Sequence, residues 1–354
     1  MRREYGIDLL KIFSMVMVVM LHIMGRGGVR AACAAKGSSV YLAQQVLEAV
    51  SLCAVNCFVL ATGYIMCQHT FRYGRIVKLW AEVVFYSLAI VLVACCWFPQ
   101  VELTRLDWLA AVMPIGFEAY WFVTSYFGLF FLMPFLNRLL NALDSRERLI
   151  LVVTGFALFS VLPTVFGRDL FRTHFGYSMV WFVFLYLAAG WVRIDRIATR
   201  LRPLTAFALA AAAVFVTLAG QVAGARLKND LGLCGGFWML YSSPGVVVES
   251  VCLLIGFSQM RIDNRLLTAV IGWASASVFS VYIIHSNGVF RRMVAWNDRF
   301  AGLSDYAWGS AVWGTLVCAV GIFTACAFID SVRRVMLRWS KLIFANRKPG
   351  DGTR

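Results

Sequence analysis

The sequence predicts an all-α membrane protein, a polytopic bundle of about ten transmembrane helices with both termini cytoplasmic. Three observations carry that prediction. The composition is 61% hydrophobic and only 14% charged, whereas soluble domains carry about 25% charged residues. Apolar runs of about 20 residues, the length a spanning helix needs, recur along the chain. Lysine and arginine fall unevenly between the intervening segments. A net charge of +15 would point to nucleic acid in a soluble chain. In this class it reports the positive-inside rule and contact with anionic membrane lipid, and no nucleic-acid partner is expected.

The runs lie near 7–25, 40–67, 76–97, 119–140, 149–166, 176–193, 204–222, 237–257, 270–290 and 309–330. With the N-terminus inside and strict alternation, inner segments hold 22 of the 33 Lys and Arg. That two-to-one bias favours an even number of spans. Arg291–Arg292 and Arg26–Arg30–Lys36 run against it. Arg2 and Arg3 before the first run, and the small residues of "AACAAKG", imitate a signal peptide. Glu4, Asp8 and Lys11 spoil its basic flank and apolar core, so the run is read as a retained first helix. Residues 1–332 then form one membrane domain and 333–354 a basic cytoplasmic tail. Most of the ten cysteines fall in apolar runs, as small buried hydrophobes. No paired CxxC with histidines suggests a metal. Cys33 and Cys234, in loops on one side, leave a disulfide open.

The first run, "YGIDLLKIFSMVMVVMLHIMG", holds Lys11 and His22 where a plain anchor has leucines. Ionisable groups within a span are functional-site hypotheses. Eleven residues span about 16 Å and return to within about 20° of the starting direction, so the two share one stripe. The second run carries Gln44, Glu48 and Ser51 on one face. In the ninth, "FSVYIIHSNG" places Tyr282 and His285 three apart, and Glu249 lies midway along the eighth. His22, Glu48 and His285 are thus expected at similar depth. For His285, Glu249 and Glu48 a structural role as polar partner between helices stands beside the functional one. Lys11 can also snorkel to the interface. In "HTFRYGRIVKLW", Arg72, Arg75 and Lys78 line one face of a helix start, either as a topology signal or as a phosphate site.

Together these stretches resemble the integral-membrane acyltransferase family 3, whose members O-acylate surface polysaccharides and other acceptors. "GIDLLKIFSMVMVVMLH" is similar to the family's first helix, with Lys11 where arginine is usual. "NCFVLATGYIM" resembles its apolar run ending in Ser-Gly-Tyr, with Thr62 for the serine. "RYGRIVKLW", the Trp-Phe start of "YWFVTSYFGLFFLMPFLNRLL" and "FSVYIIHS" complete the match, which spans about residues 4–330.

The resemblance implies a bacterial plasma-membrane (inner-membrane) enzyme that transfers an acyl group, acetyl in the simplest case, from cytoplasmic acyl-CoA. The acceptor is a hydroxyl of an extracytoplasmic surface polysaccharide or lipid-linked glycan. No bound cofactor is expected. Lys11, Arg72, Arg75 and Lys78 are the expected acyl-CoA contacts. His22 is the expected base, which takes the hydroxyl proton. Glu48 is the expected carboxylate that orients it, on depth alone. Asp8, Trp121, Tyr282 and His285 are expected to support the site or the acceptor. No G-x-S-x-G elbow supports a serine acyl-enzyme, and an acyl-histidine remains an alternative. The rival readings are a small-solute or proton-coupled transporter and a racemase-type membrane module. Against the first stands the lack of a repeat or of a Gly/Pro-broken helix pair.

Overall fold

The computed structural model describes residues 3–36, 39–231 and 237–345. Among them every regular element is helical. In chain order the α-helices are α1 (Tyr5–Met24), α2 (Val29–Lys36), α3 (Ser39–Ser51), α4 (Ala54–Met66), α5 (Gly74–Trp97), α6 (Arg105–Val112), α7 (Trp121–Ala142) and α8 (Ser145–Phe156). They continue as α9 (Leu162–Phe166), α10 (Met179–Ile194), α11 (Pro203–Leu231), α12 (Pro244–Ser258), α13 (Arg265–Ser275), α14 (Val278–Ser286), α15 (Gly288–Met293) and α16 (Trp308–Ala345).

Seven helical stretches are long and apolar enough to cross a membrane, and α13–α14, bent by 41°, make an eighth if taken as one span. The apolar runs near 176–193 and 237–257 form α10 and α12, which are shorter than a full crossing. Each expected segment is therefore a helix, but by length the described residues supply seven or eight spans rather than about ten. The last helix continues through residue 332 to Ala345. Cys33 is buried. Cys234 lies outside the described residues, and with it the question of a Cys33–Cys234 disulfide.

The breaks in the spans have local causes. Between α8 and α9 the backbone makes a π-turn over Ala157–Val161, just before Pro163, which lacks the N–H a regular ladder needs. The Ser160 hydroxyl donates to Ser242 O at 2.6 Å there. Close helix crossings use glycine. A Cβ on Gly6 would fall 2.0 Å from Phe257 O, and one on Gly63 only 2.9 Å from the Ala189 Cβ. These two residues let α1 meet α12 and α4 meet α10.

α1 is the central helix, packed against α3, α4, α12, α13, α14 and α16. Of its apolar window 61% is buried, against 17% for Ser145–Phe166 on the rim. The outward residues of the rim helices, such as Phe215, Val165 and Phe328, are apolar and exposed, as a lipid-facing surface requires. One end of the bundle gathers the start of α1 and the far part of α16. Arg3 donates to Ser275 Oγ at 2.8 Å, and Arg334 donates to Ser277 Oγ at 2.8 Å. Arg3 and Arg334 therefore lie at the same end. The opposite end carries the turn after α1, where Asp298 N donates to Arg26 O and Phe300 N to Gly27 O.

Candidate active site

The stripe expected from Lys11 to His22 is a wall. Met15, Val18 and His22 on α1, spaced three and four residues apart, line a small cavity with Val55 and Phe58 of α4. Trp121 and Phe122 at the start of α7, Tyr241 and Tyr282 close it. Its volume is about 20 Å³, room for roughly one water. Lys11 lies one turn before Met15 on the same face. The aromatic wall is a packed cluster: Trp121 lies 4.5 Å from Tyr177 and 6.2 Å, stacked, from Tyr241, centroid to centroid. Tyr241 is on a loop rather than a helix, and buried Asn56 fixes that loop. The Asn56 amide donates to Tyr241 O at 2.7 Å and accepts from Trp181 Nε1 at 3.0 Å.

At the cavity's far end two histidines meet. His22 Nδ1 and His285 Nε2 are 3.0 Å apart. His285 Nδ1 lies 2.6 Å from Val281 O. A carbonyl oxygen can only accept, so with neutral rings His285 carries its proton on Nδ1 and its Nε2 lone pair accepts. His22 must then donate from Nδ1, which leaves His22 Nε2 as an unprotonated acceptor. One backbone carbonyl thus sets the tautomer of both rings. The Trp296 indole donates to His22 O at 3.3 Å, and its ring lies 6.3 Å from that of His285. Tyr282 stands edge-on to His285 at 6.1 Å.

Glu48 is not at this junction. Its carboxylate pairs with Arg30 at 2.8 Å, because α2 folds back over the start of the second span. The neutral His285 imidazole, not a carboxylate, holds His22. Glu249 is buried on α12, and its Oε2 has no hydrogen-bond partner.

At the other end of the stripe, Asp8 lies between two cations, 2.5 Å from Arg3 Nε and 3.7 Å from Lys11 Nζ. Arg72, Arg75 and Lys78 are exposed at the start of α5. None of the three forms an ion pair with Asp8, whose partners are Arg3 and Lys11. The Arg75 guanidinium donates to Met66 Sδ at 3.4 Å. Two further ionic groups went unnoticed in the sequence. Arg193 pairs with Glu4 at 2.6 Å and lies 4.5 Å over the Tyr64 ring. Asp330, fully buried, pairs with Arg333 at 2.7 Å and Arg334 at 3.0 Å, and Arg333 also reaches Glu82 at 3.0 Å. Acids within apolar runs, such as Glu82 and Asp330, were a readable signal. Tyr241 and Trp296, on irregular segments, gave none.

Comparison with known proteins adds one match. No curated protein and no solved structure matches the chain. The family model of an acyltransferase domain, that of acyltransferase family 3, matches residues 4–330, so the histidine junction, the cavity, the Arg193–Glu4 pair and the acids Glu82 and Asp330 fall within the matched region, with Arg333 and Arg334 just beyond it. A multi-pass helical bundle with an acyltransferase domain over nearly its whole length belongs to acyltransferase family 3, and the protein is a membrane acyltransferase.

Proposed function

We propose that the protein is an O-acyltransferase, an O-acetyltransferase in the simplest case, that transfers an acyl group from acyl-CoA to an acceptor hydroxyl. The donor enters from the cytoplasmic side, taken as the end that holds Arg3 and Arg334. The acceptor, a surface polysaccharide or lipid-linked glycan, approaches His22 from the opposite face of a bacterial plasma membrane. The observation that carries this reading is the single stripe on α1, with a cation at one end, an apolar cavity along it and a base with a free lone pair at the other. CoA's phosphates suit the cations near Lys11, Arg72, Arg75 and Lys78. The acyl end of its thin arm suits the Met15–Val18 wall, once the aromatic side chains opposite move aside.

His22 Nε2 removes the hydroxyl proton as the oxygen attacks the thioester carbon. The new C–O bond forms, the C–S bond breaks, and the proton passes from His22 to the departing thiolate. While His22 is charged, its Nδ1–H bond to His285 strengthens, and His285 in turn is held by Val281 O. The pair performs with a neutral acceptor the orienting task a triad gives to a carboxylate.

The test is acyl-CoA consumption by purified protein in proteoliposomes, with surface-glycan fragments as acceptors. His22→Ala should fold and bind acyl-CoA while transfer falls roughly 10²–10⁴-fold. Near-normal transfer by that variant would remove His22 from the chemistry. Lys11→Met, which keeps the apolar stem, should weaken acyl-CoA affinity, and Lys11→Arg should retain much of it. Asp8→Asn is the control, because Asp8 shares Lys11 with any phosphate. Unchanged donor affinity in Lys11→Glu would remove Lys11 from the donor site.

A further inference from the structure

Two cations stand at the histidine end of the cavity outside any ion pair among the described residues. Of the arginines gathered there, two are neutralised: Arg30 by Glu48 and Arg292 by Asp107 at 2.7 Å. Arg26 and Arg291 form no ion pair among the described residues. Arg291 is half-buried on α15, and its Nε is buried with no hydrogen-bond partner. The charges that act on Arg291 are Arg26 and Arg292, both of the same sign, and Tyr282 is its one acidic neighbour. Both lie next to the site: Trp296, whose backbone N donates to Arg291 O at 2.9 Å, also donates its indole N–H to His22 O at 3.3 Å, and Arg26 follows His22 by four residues. Arg26 and Arg291 each act electrostatically on His22 and on Tyr282, two walls of the cavity, and Arg291 also on His285.

Their positions are set by the fold. Arg26 is in the turn that ends α1, four residues after His22. Arg291 is on the short helix that follows α14, six residues after His285. The backbone bonds from Asp298 N to Arg26 O and from Trp296 N to Arg291 O tie both segments together. Holding like charges together next to a desolvated site is unfavourable unless something anionic joins them.

We propose that Arg26 and Arg291 bind an anionic group of the acceptor, so that the acylated hydroxyl belongs to a molecule carrying a carboxylate or a phosphate ester near that hydroxyl. This rests on His22 as the site of transfer and names the class of acceptor it serves. The anion docks between the two guanidiniums, and its neighbouring hydroxyl is delivered to His22 Nε2. The bond changes at the thioester are those given above.

The probes are glucuronic acid, glucose 1-phosphate and glucose, which offer a carboxylate, a phosphate ester and no charge. Each is tested with acetyl-CoA and the full chain in proteoliposomes. The wild type should prefer one or both anionic sugars over glucose by roughly 10- to 100-fold in kcat/KM, the worth of a charge-assisted contact. The preference should shrink as salt is raised. Which anionic sugar is preferred separates carboxylate from phosphate. Arg291→Gln should cut the charged-to-neutral ratio by a similar factor, and Arg291→Lys should restore part of it. Arg26→Gln, which changes an exposed side chain and leaves the backbone bond to Asp298 in place, should cut the ratio too and guards against a folding defect at the half-buried site. Equal use of all three sugars by active wild type overturns the proposal and leaves His22 in place. Arg variants that slow all acceptors equally also overturn it, and reassign the cations to the oxyanion of the transition state. No acetyl-CoA consumption with any acceptor would instead count against the acyl-CoA reading.

Discussion

In the proposed mechanism His285 works through His22, and its substitution separates that role from packing. His285→Ala removes the acceptor that fixes His22 Nδ1–H, so the ring is free to expose either nitrogen to the acceptor hydroxyl. The expected outcome is a kcat loss of roughly 10-fold or more, within the range of general-base effects, with the KM for acyl-CoA nearly unchanged. His285→Gln keeps an acceptor and a donor on one side chain and should recover part of the rate. A packing role alone predicts lower thermal stability with per-molecule kcat intact. Half of this junction was legible in the sequence. Lys11 and His22 share a face because eleven residues are close to three turns, and the cavity wall at Met15 and Val18 lies on that line. The partner was not legible. Depth alone offered Glu48 and His285 equally, and helical periodicity does not say which neighbouring helix turns which face inward. What decided it was Arg30, brought onto Glu48 by α2.

The elements are held at their ends by buried ionic groups, and these respond to substitution and to pH in distinct ways. Asp330 sits on α16 under two arginines, with the Tyr86 hydroxyl donating to it at 2.8 Å and the Ser280 hydroxyl between it and Glu82. It thus joins α5, α14 and α16. Asp330→Ala should cost roughly 3–5 kcal/mol, because it leaves Arg333 and Arg334 without their shared partner. Asp330→Asn should cost less, since it keeps the hydrogen bonds. Thermal unfolding in detergent measures both.

Arg148 performs a similar task at the end of α7. Its guanidinium grips Asp195 at 2.7 and 2.9 Å and donates to the otherwise unpaired carbonyls of Leu140 and Leu143. The hydrogen bonds from Arg148 hold the Asp195 carboxyl below the usual carboxylate range. A depressed folded-state pKa means that this stabilisation is fully present above the unfolded value of about 3.9. It is lost as pH falls through the lower folded value. Asp195→Asn should therefore lower the melting temperature at pH 6–7 and flatten its fall on acidification. A variant with the wild-type acid limb would take the pair out of the pH dependence. Arg148 on α8 and Asp195, just past the end of α10, are 47 residues apart. The sequence showed each only as a charge near an interface, because the register between helices depends on packing that no single run contains.

For the whole molecule, the structure supplies a geometric frame that the sequence lacks, and the sequence supplies the orientation that the structure lacks. The contacts of Arg3 and Arg334 with Ser275 and Ser277 place both ends of the helical bundle's chain on one side, whatever the count of spans. α10 and α12 were expected to cross like the rest. Their 16 and 15 residues reach only about 22–24 Å at 1.5 Å per residue, short of a bilayer core of about 30 Å. Apolar composition identified them as buried but could not measure their helical length, which turns and irregular segments cut short. The proposed cytoplasmic side rests on charge. The sequence assigns 22 of the 33 Lys and Arg to the inner side, and two of the opposing ones, Arg26 and Arg291, have a proposed task at the acceptor site that explains their place on the less favoured side. The prediction is that a reporter fused after Arg354 is active only in a form that works in the cytoplasm. In intact cells, a membrane-impermeant thiol reagent should label an Arg299→Cys variant above the parent, because exposed Arg299 sits beside the Arg26 turn. It should not label Arg72→Cys until the membrane is opened. The reverse pattern would put the donor end outside, where acyl-CoA is absent, and would overturn the direction of transfer proposed here while leaving the histidine junction as the structure has it.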